Sequence, residues 1–351
     1  MACNIILLDI QQHHAFKNLQ REFCFDPIFG IYEFNAATSY EILFIFDFRN
    51  LRILPKNIWS CPIFRLLCLH SFTAHTFVFA NFPSPKLVGT DEATTCVGIS
   101  IRNCRTGMIS LAHMDFPNVV ENGLSQMLSL ITDRDSDTLL DVHLVGGFDD
   151  ISSQHPNLAP KNRKKLEGYS YPLCAKIIET LRIRSENFQI RTLHVLGQNT
   201  KLNTEGFACP IFHGFVVDTS NGSITPASFD RKSRCPDEIV RRIRVTASFE
   251  DPNLSHKLLD TYETNSDNFV IAPCVWTIRQ KRIATTLQRL SDIEILLTCS
   301  SSPSAEAPDF VDNERRKWDY LIRNPNWRET FPSEQPRRFQ RTPDGNWVSS
   351  L

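Results

Sequence analysis

Three residues have the types and the spacing for covalent chemistry: Thr90, Cys96 and His113. The reactive form of cysteine is the thiolate, and a free thiol ionises only near about pH 8.5. An adjacent imidazole that takes the proton makes a nucleophile at neutral pH, and can later return that proton to a leaving amine. A third group must hold the ring, and Thr90, six residues before Cys96, offers a hydroxyl or a carbonyl for that. A backbone N–H at Cys96 or beside it could stabilise an oxyanion. The ordinary alternative is that Cys96 is an inert small hydrophobe in a strand and His113 a satisfied core group.

Bringing Cys96 to His113 requires a hairpin. Residues 97–103 alternate like a strand, with Val97, Ile99 and Ile101 on one face and Gly98, Ser100 and Arg102 on the other. Asn103-Cys104-Arg105-Thr106-Gly107 reads as a turn, and residues 108–114 as the return strand. A turn centred between Cys104 and Arg105 sets Cys96 directly across from His113. A glycine bulge at Gly107 moves that register by one to three residues, and an odd slip sends the two groups to opposite faces.

The remaining elements alternate without strict β-α-β order. We expect a helix at 119–131, a buried strand at 139–148 ending in Gly-Gly, and a polar basic loop at 158–170. A helix at 173–182, strands at 188–197 and 211–219, and a hairpin turn at Ser220-Asn221-Gly222 follow. A short helix is expected at 238–244, and one or two at 279–297 with a Ser291/Glu294 capping box. A last, polar helix is expected near 311–323. The class is α+β with a mainly antiparallel core.

Composition narrows the function classes. The 351 residues carry 38 basic and 39 acidic side chains, a net charge of -1, which argues against a protein that holds nucleic acid or an anionic membrane by bulk charge. The 42% hydrophobic content suits a folded core. None of the 11 cysteines forms a C-x-x-C pair, so no zinc ribbon or thioredoxin-type site is spelled out, and free thiols in the cytosol or nucleus are expected. Residues 61–82 are apolar, but Arg65, His70 and His75 argue against a membrane span. His143 and His194 read as core groups with one hydrogen bond, Asp149-Asp150 as a solvated loop, and the basic run 231–244 as a solvated helix end.

Several blocks, in order, resemble the protein N-terminal asparagine amidohydrolase family, and its plant members in particular. They are GTDEATTC (89–96), HMD (113–115), DVHLVGGF (141–148), ASFDR (227–231), RCPDEIVRRIRV (234–245), SPSAEAPDFV (302–311) and RTPDGNW (341–347). The Thr/Ser–Cys–His offsets are also similar to those of chemoreceptor glutamine deamidases and cytotoxic necrotizing factor toxins. The resemblance implies an αββ-sandwich-like fold, with Cys96 as nucleophile, His113 as base and Thr90 as the orienting hydroxyl. It implies conversion of an N-terminal Asn of proteins or peptides to Asp with release of ammonia. That product feeds arginylation and N-degron ubiquitylation, and no metal or organic cofactor is required. A carboxylate is the natural reader of a free α-ammonium, and Asp91, Glu92 and Asp115 flank the nucleophile and the base. A protein glutamine deamidase, or a catalytically dead binder of N-termini, are the competing functions.

The front of the chain departs from the family text. Residues 1–85 form an atypical region with an expected insertion at 28–85, and the amidohydrolase domain is expected to span 86–351.

Overall fold

The computed structural model describes residues 25–26, 31–33, 76–80, 87–132, 138–151, 168–229, 236–263, 266, 268–342 and 347–350. Most of the 28–85 stretch, most of the apolar 61–82 run and the basic loop after residue 151 lie outside the described residues. Within them, 76–80 is a strand, and no described helix is long and apolar enough to cross a membrane.

In the first half of the chain, strands β1 (Phe25–Asp26), β2 (Ile31–Glu33), β3 (Thr76–Ala80), β4 (Leu87–Thr90), β5 (Val97–Asn103) and β6 (Ile109–Met114) come before the first described α-helix, α1 (Val120–Ile131). Then follow β7 (Leu139–Phe148), α2 (Ser170–Ile183), β8 (Asn187–Leu196), β9 (Thr200–Leu202), β10 (Ala208–Pro210), β11 (Phe215–Asp218) and β12 (Ile224–Pro226). The last third contains α3 (Glu238–Ser248), β13 (Leu259–Asp260), β14 (Tyr262–Glu263), β15 (Asn268–Ile271), α4 (Ile278–Leu287), α5 (Asp292–Cys299), α6 (Phe310–Arg323), α7 (Trp327–Thr330), β16 (Arg337–Arg341) and β17 (Trp347–Ser350).

The main sheet has the order β1-β2-β8-β7-β5-β6-β3-β13 and is mostly antiparallel. Its β7–β8 pair is parallel, because α2 lies between the two strands and carries the chain back to the starting edge. Alternation in β5 puts Val97, Ile99 and Ile101 on the face that α1 and α2 cover. Leu124, Met127, Leu128 and Ile131 of α1 and Leu173, Ile177 and Leu181 of α2 complete that layer. Each such side chain, fully buried, contributes roughly 1.5–3 kcal/mol. The opposite face, with Ile109, Leu111 and Val145, packs on Val88, Phe215 and Val217 of the small sheet β12-β11-β4. The layers therefore run helix, sheet, sheet, in an α+β fold of the expected class. With both faces covered, β6 is buried along its whole length.

A second core joins α3, α4, α5 and α6 to the sheet β14-β15-β16-β17 around Trp276, Phe269, Trp318 and Phe331. The Ser291/Glu294 capping box at the start of α5 is present, and Thr277/Gln280 forms another at α4.

Three expectations need correction. The 231–244 run is not a solvated helix end within its described part, because Arg241, Arg242 and Arg244 are all buried. Each finds an internal acceptor: Arg241 donates to the Pro236 carbonyl, Arg244 to the Asp260 carbonyl, and Arg242 to two carboxylates. Asp150 is likewise buried rather than solvated. Its carboxylate accepts from the Tyr169 and Ser170 N–H groups and so caps the start of α2. The strand expected at 211–219 is confined to β11, because only Phe215 to Asp218 pair with β4, while the His213 carbonyl accepts from the Ala93 N–H at 2.6 Å.

Candidate active site

The hairpin that holds Cys96 and His113 forms, with a register two residues away from the expected one. Gly98 lies opposite His113, and Val97 opposite Met114. The turn itself causes the shift. Asn103 N–H donates to the Met108 carbonyl, and the Asn103 side chain accepts from the N–H groups of Arg105 and Thr106. Its amide also donates to the Ile131 carbonyl, and Gly107 closes the turn at a φ of +76°. This pins the turn centre one residue later than expected. A slip of two keeps every strand side chain on its face, and Gly98 shares its pair with His113. Cys96 immediately precedes β5 and Asp115 immediately follows β6, and both are buried.

Thr90 reaches the ring from the adjoining layer. Its hydroxyl lies 2.9 Å from His113 Nδ1, and both residues are buried. Gly98 makes this possible. A Cβ there would stand 2.7 Å from both the Thr90 methyl and the Phe215 ring. The missing side chain is the space through which β4 approaches β6.

The segment between Thr90 and Cys96 is held from four sides. Glu92 adopts a φ of +62°, a left-handed conformation that a residue with a Cβ occupies only when its surroundings over-determine it. Asp91 caps that turn, accepting from the Glu92 N–H at 2.8 Å with one oxygen and from the Phe229 N–H at 2.8 Å with the other. Both oxygens of Glu92 lie 2.8 Å from the Arg242 guanidinium, which also pairs with Glu238. The Cys96 carbonyl accepts from Gly147 N–H at 2.7 Å, and the Thr94 carbonyl from Phe148 N–H at 3.1 Å. A Cβ on Gly146 would lie 2.4 Å from the Cys96 carbonyl oxygen, so the Gly-Gly end of β7 lets the loop press against it.

The loop that follows α5 forms the remaining wall. Ser301 Oγ is 2.9 Å from Thr95 Oγ1, next to the cysteine. Ala305 packs with Phe148 and Ala208, and Glu306 accepts from the Ser300 hydroxyl.

Burial pushes the Cys96 thiol well above its ordinary range, and the negative charges of Asp115, Glu306 and Glu92 add to the effect, against a lowering hydrogen bond with Thr95. At rest the sulfur is a thiol. Burial raises the Glu306 carboxyl to about 7, with the negative charges of Glu92 and Glu314 adding to the effect against the Ser300 hydrogen bond and Arg242. His143 pairs with the Thr192 hydroxyl at 3.0 Å and is lowered to about 4 by burial, as befits a neutral core group. His194 stacks edge-on against Phe212. Among the described residues no group of three His, Cys, Asp or Glu side chains could hold a metal ion.

Two of these participants carry no local signal. Arg242 lies 150 residues from Glu92, and Ser301 lies 206 from Thr95. Glu306 lies within a block whose text is recognisable, but nothing in its spacing ties it to Cys96.

These features define an α+β protein of helix–sheet–sheet layers, with a buried thiol just before β5 and a buried Thr–His pair between β4 and β6. The family model of the protein N-terminal asparagine amidohydrolases matches residues 75–349, and the chain belongs to that family of hydrolases. The match starts ahead of the boundary expected at 86 and takes in β3, which pairs with β6 along its length. A protein N-terminal asparagine amidohydrolase of Arabidopsis thaliana is 55% identical over 271 residues, covering 77% of this chain and 78% of that protein. Those of Mus musculus and Homo sapiens are 27% and 26% identical over 267 residues, covering 75% of this chain and 77% of each.

Proposed function

We propose that the protein hydrolyses the side-chain amide of an N-terminal Asn in proteins and peptides, leaving Asp and ammonia. The observation that carries this reading is the buried Thr90–His113 pair beside β5, the strand that the buried Cys96 immediately precedes. With Nδ1–H donating to the Thr90 hydroxyl, Nε2 is the basic nitrogen of His113.

The thiol is neutral at rest, so ionisation accompanies attack. The Cys96 proton passes to His113 as sulfur bonds to the carboxamide carbon and the carbonyl electrons move onto oxygen. The tetrahedral adduct collapses when imidazolium protonates the amide nitrogen, and ammonia leaves. Water, deprotonated by His113, then adds to the thioester carbon, and the C–S bond breaks with return of a proton to sulfur. Atoms balance as amide plus water giving acid plus ammonia. Of the three acids flanking the nucleophile and base, Asp91 spends both oxygens on backbone N–H groups and Glu92 is matched by Arg242, so they shape the loop. Asp115 keeps an electrostatic hold on the sulfur.

The described cysteines are free thiols, which supports a reducing compartment, the cytosol or nucleus. A product with N-terminal Asp fits a place upstream of arginylation in the N-degron route. Mass spectrometry of an Asn-initiated peptide tests the reading: a gain of about 1 Da is expected, absent in Cys96→Ala because the nucleophile is gone. Equal rates on the peptide and its N-acetylated form would instead mark a glutamine-deamidase-like enzyme indifferent to the amine. Binding with no turnover by the unaltered protein would mark a dead binder.

A further inference from the structure

We propose that Asn199 is a positioning residue for the nucleophile, set in a corner at 196–200 that clamps the 91–96 loop along two routes. Its kinetic consequence rests on the deamidase reading above. The corner begins with a strained backbone. Leu196, the last residue of β8, has a φ of +51° and a ψ of -131°, outside even the left-handed helical region. A residue with a Cβ holds such a conformation only where its surroundings over-determine it, and such residues cluster at functional sites. Here the Leu196 side chain packs on the first core, and its carbonyl accepts from the Thr200 hydroxyl at 2.6 Å.

The first route runs through Asn199, which is wholly buried. Its amide matches the backbone of Phe212: Nδ2 donates to the Phe212 carbonyl and Oδ1 accepts from the Phe212 N–H, both at 2.8 Å. The Asn199 carbonyl accepts from the Ile211 N–H at 2.9 Å. These bonds fix residues 211–212, and the next carbonyl, that of His213, accepts from the Ala93 N–H. The second route runs through Thr200. A hydroxyl has one proton, so donation to Leu196 leaves the oxygen to accept from the Asp149 N–H at 2.8 Å. The two residues before Asp149 then donate to the loop, Phe148 to the Thr94 carbonyl and Gly147 to the Cys96 carbonyl. The corner thus governs the backbone at 93, 94 and 96, whereas Arg242 holds the side chain of Glu92. A reacting atom displaced by about 1 Å can cost about a hundredfold in rate, so slack in this backbone reaches the sulfur as lost turnover.

The test uses the full chain and two readouts. Asn199→Ala is expected to lower kcat on an Asn-initiated peptide at least about tenfold with KM within about twofold, because the nucleophile moves and the substrate site does not. Amide hydrogen exchange in the 91–96 segment, followed by mass spectrometry, is expected to speed at least about tenfold in the same variant, since the acceptor of the Ala93 N–H is no longer fixed. Thr200→Val keeps the shape, cuts the second route and covers an alanine variant that folds poorly. It is expected to move both readouts the same way, and Thr200→Ser, which retains the hydroxyl, to restore them. Asn103→Ala removes another buried Asn side chain with hydrogen bonds to backbone, so it controls for stability alone and is expected to leave both readouts near those of the parent. Parent-like kcat in Asn199→Ala and Thr200→Val overturns the proposal, as does an equal loss in Asn103→Ala, which would mark a purely structural role. Absence of turnover in the unaltered protein would overturn the deamidase reading instead. The exchange arm needs no turnover, and unchanged exchange at 91–96 in both variants would by itself overturn the clamp.

Discussion

At the scale of single residues, the site depends on a missing side chain. Gly98 leaves the space in which the Thr90 methyl and the Phe215 ring sit, and only there can the Thr90 hydroxyl reach His113. Gly98→Ala is expected to push Thr90 away, with a stability loss of about 1–3 kcal/mol from overpacking. Thr90→Val keeps the shape and removes the hydroxyl. Both variants are expected to lower kcat about tenfold to a hundredfold with little change in KM, since the group lost orients the base rather than the substrate. Steady-state kinetics beside urea denaturation separates them: only the alanine variant should lose both activity and stability. Equal kcat in Thr90→Val and the parent would remove Thr90 from the mechanism.

At the scale of elements, the turn of the β5–β6 hairpin sets which residues meet. Asn103 is wholly buried and its side chain makes three hydrogen bonds, two closing the turn and one reaching the end of α1. At about 1 kcal/mol each, Asn103→Ala is expected to cost about 2–3 kcal/mol, read from the midpoint of urea unfolding. Turnover below the transition should persist, because the strand pairing from Val97 to Met114 keeps the register once folded. The 91–96 loop is a different kind of element. Its left-handed Glu92 is held by Arg242 of α3, so the second core buttresses the loop that leads to Cys96 from outside the sheet. The Arg242 guanidinium is itself matched by Glu238, one turn earlier in the same helix, so the strut is rigid before it meets the loop.

Across the whole molecule, two buried or half-buried groups bend stability in opposite directions with pH. His143 titrates at about 4 in the fold against an ordinary 6.5. Its depressed value means the unfolded chain binds the proton first, so stability is full above 6.5 and is lost as pH falls towards 4, by up to about 3 kcal/mol. Glu306 sits at about 7 against an ordinary 4.5, so its contribution is present below 4.5 and is lost as pH rises through 7. Thermal melts from pH 7.5 to 4 are therefore expected to diverge: relative to the parent, Glu306→Gln gains at the neutral end, and His143→Gln loses less on acidification. Parallel curves for all three proteins would contradict both assignments.

The strands 97–103 and 139–148, the helical face at Leu124, Met127 and Leu128 and the capping box at Ser291 were all legible from the amino-acid order. Each depends on side-chain period or on contacts within a few residues, and an even slip of register leaves a period of two intact. The register of the β5–β6 hairpin was not legible, because it depends on where the Asn103 side chain closes its turn. Nor were the burial of Arg241, Arg242 and Arg244, or the contact of Ser301 with Thr95. The basic run reads as solvent-facing, and these contacts join elements 150 to 206 residues apart in the chain. Local order thus determined which residues could react, and only the packing of layers decided which acids surround the sulfur, because electrostatic neighbours are set by distance in space and not along the chain.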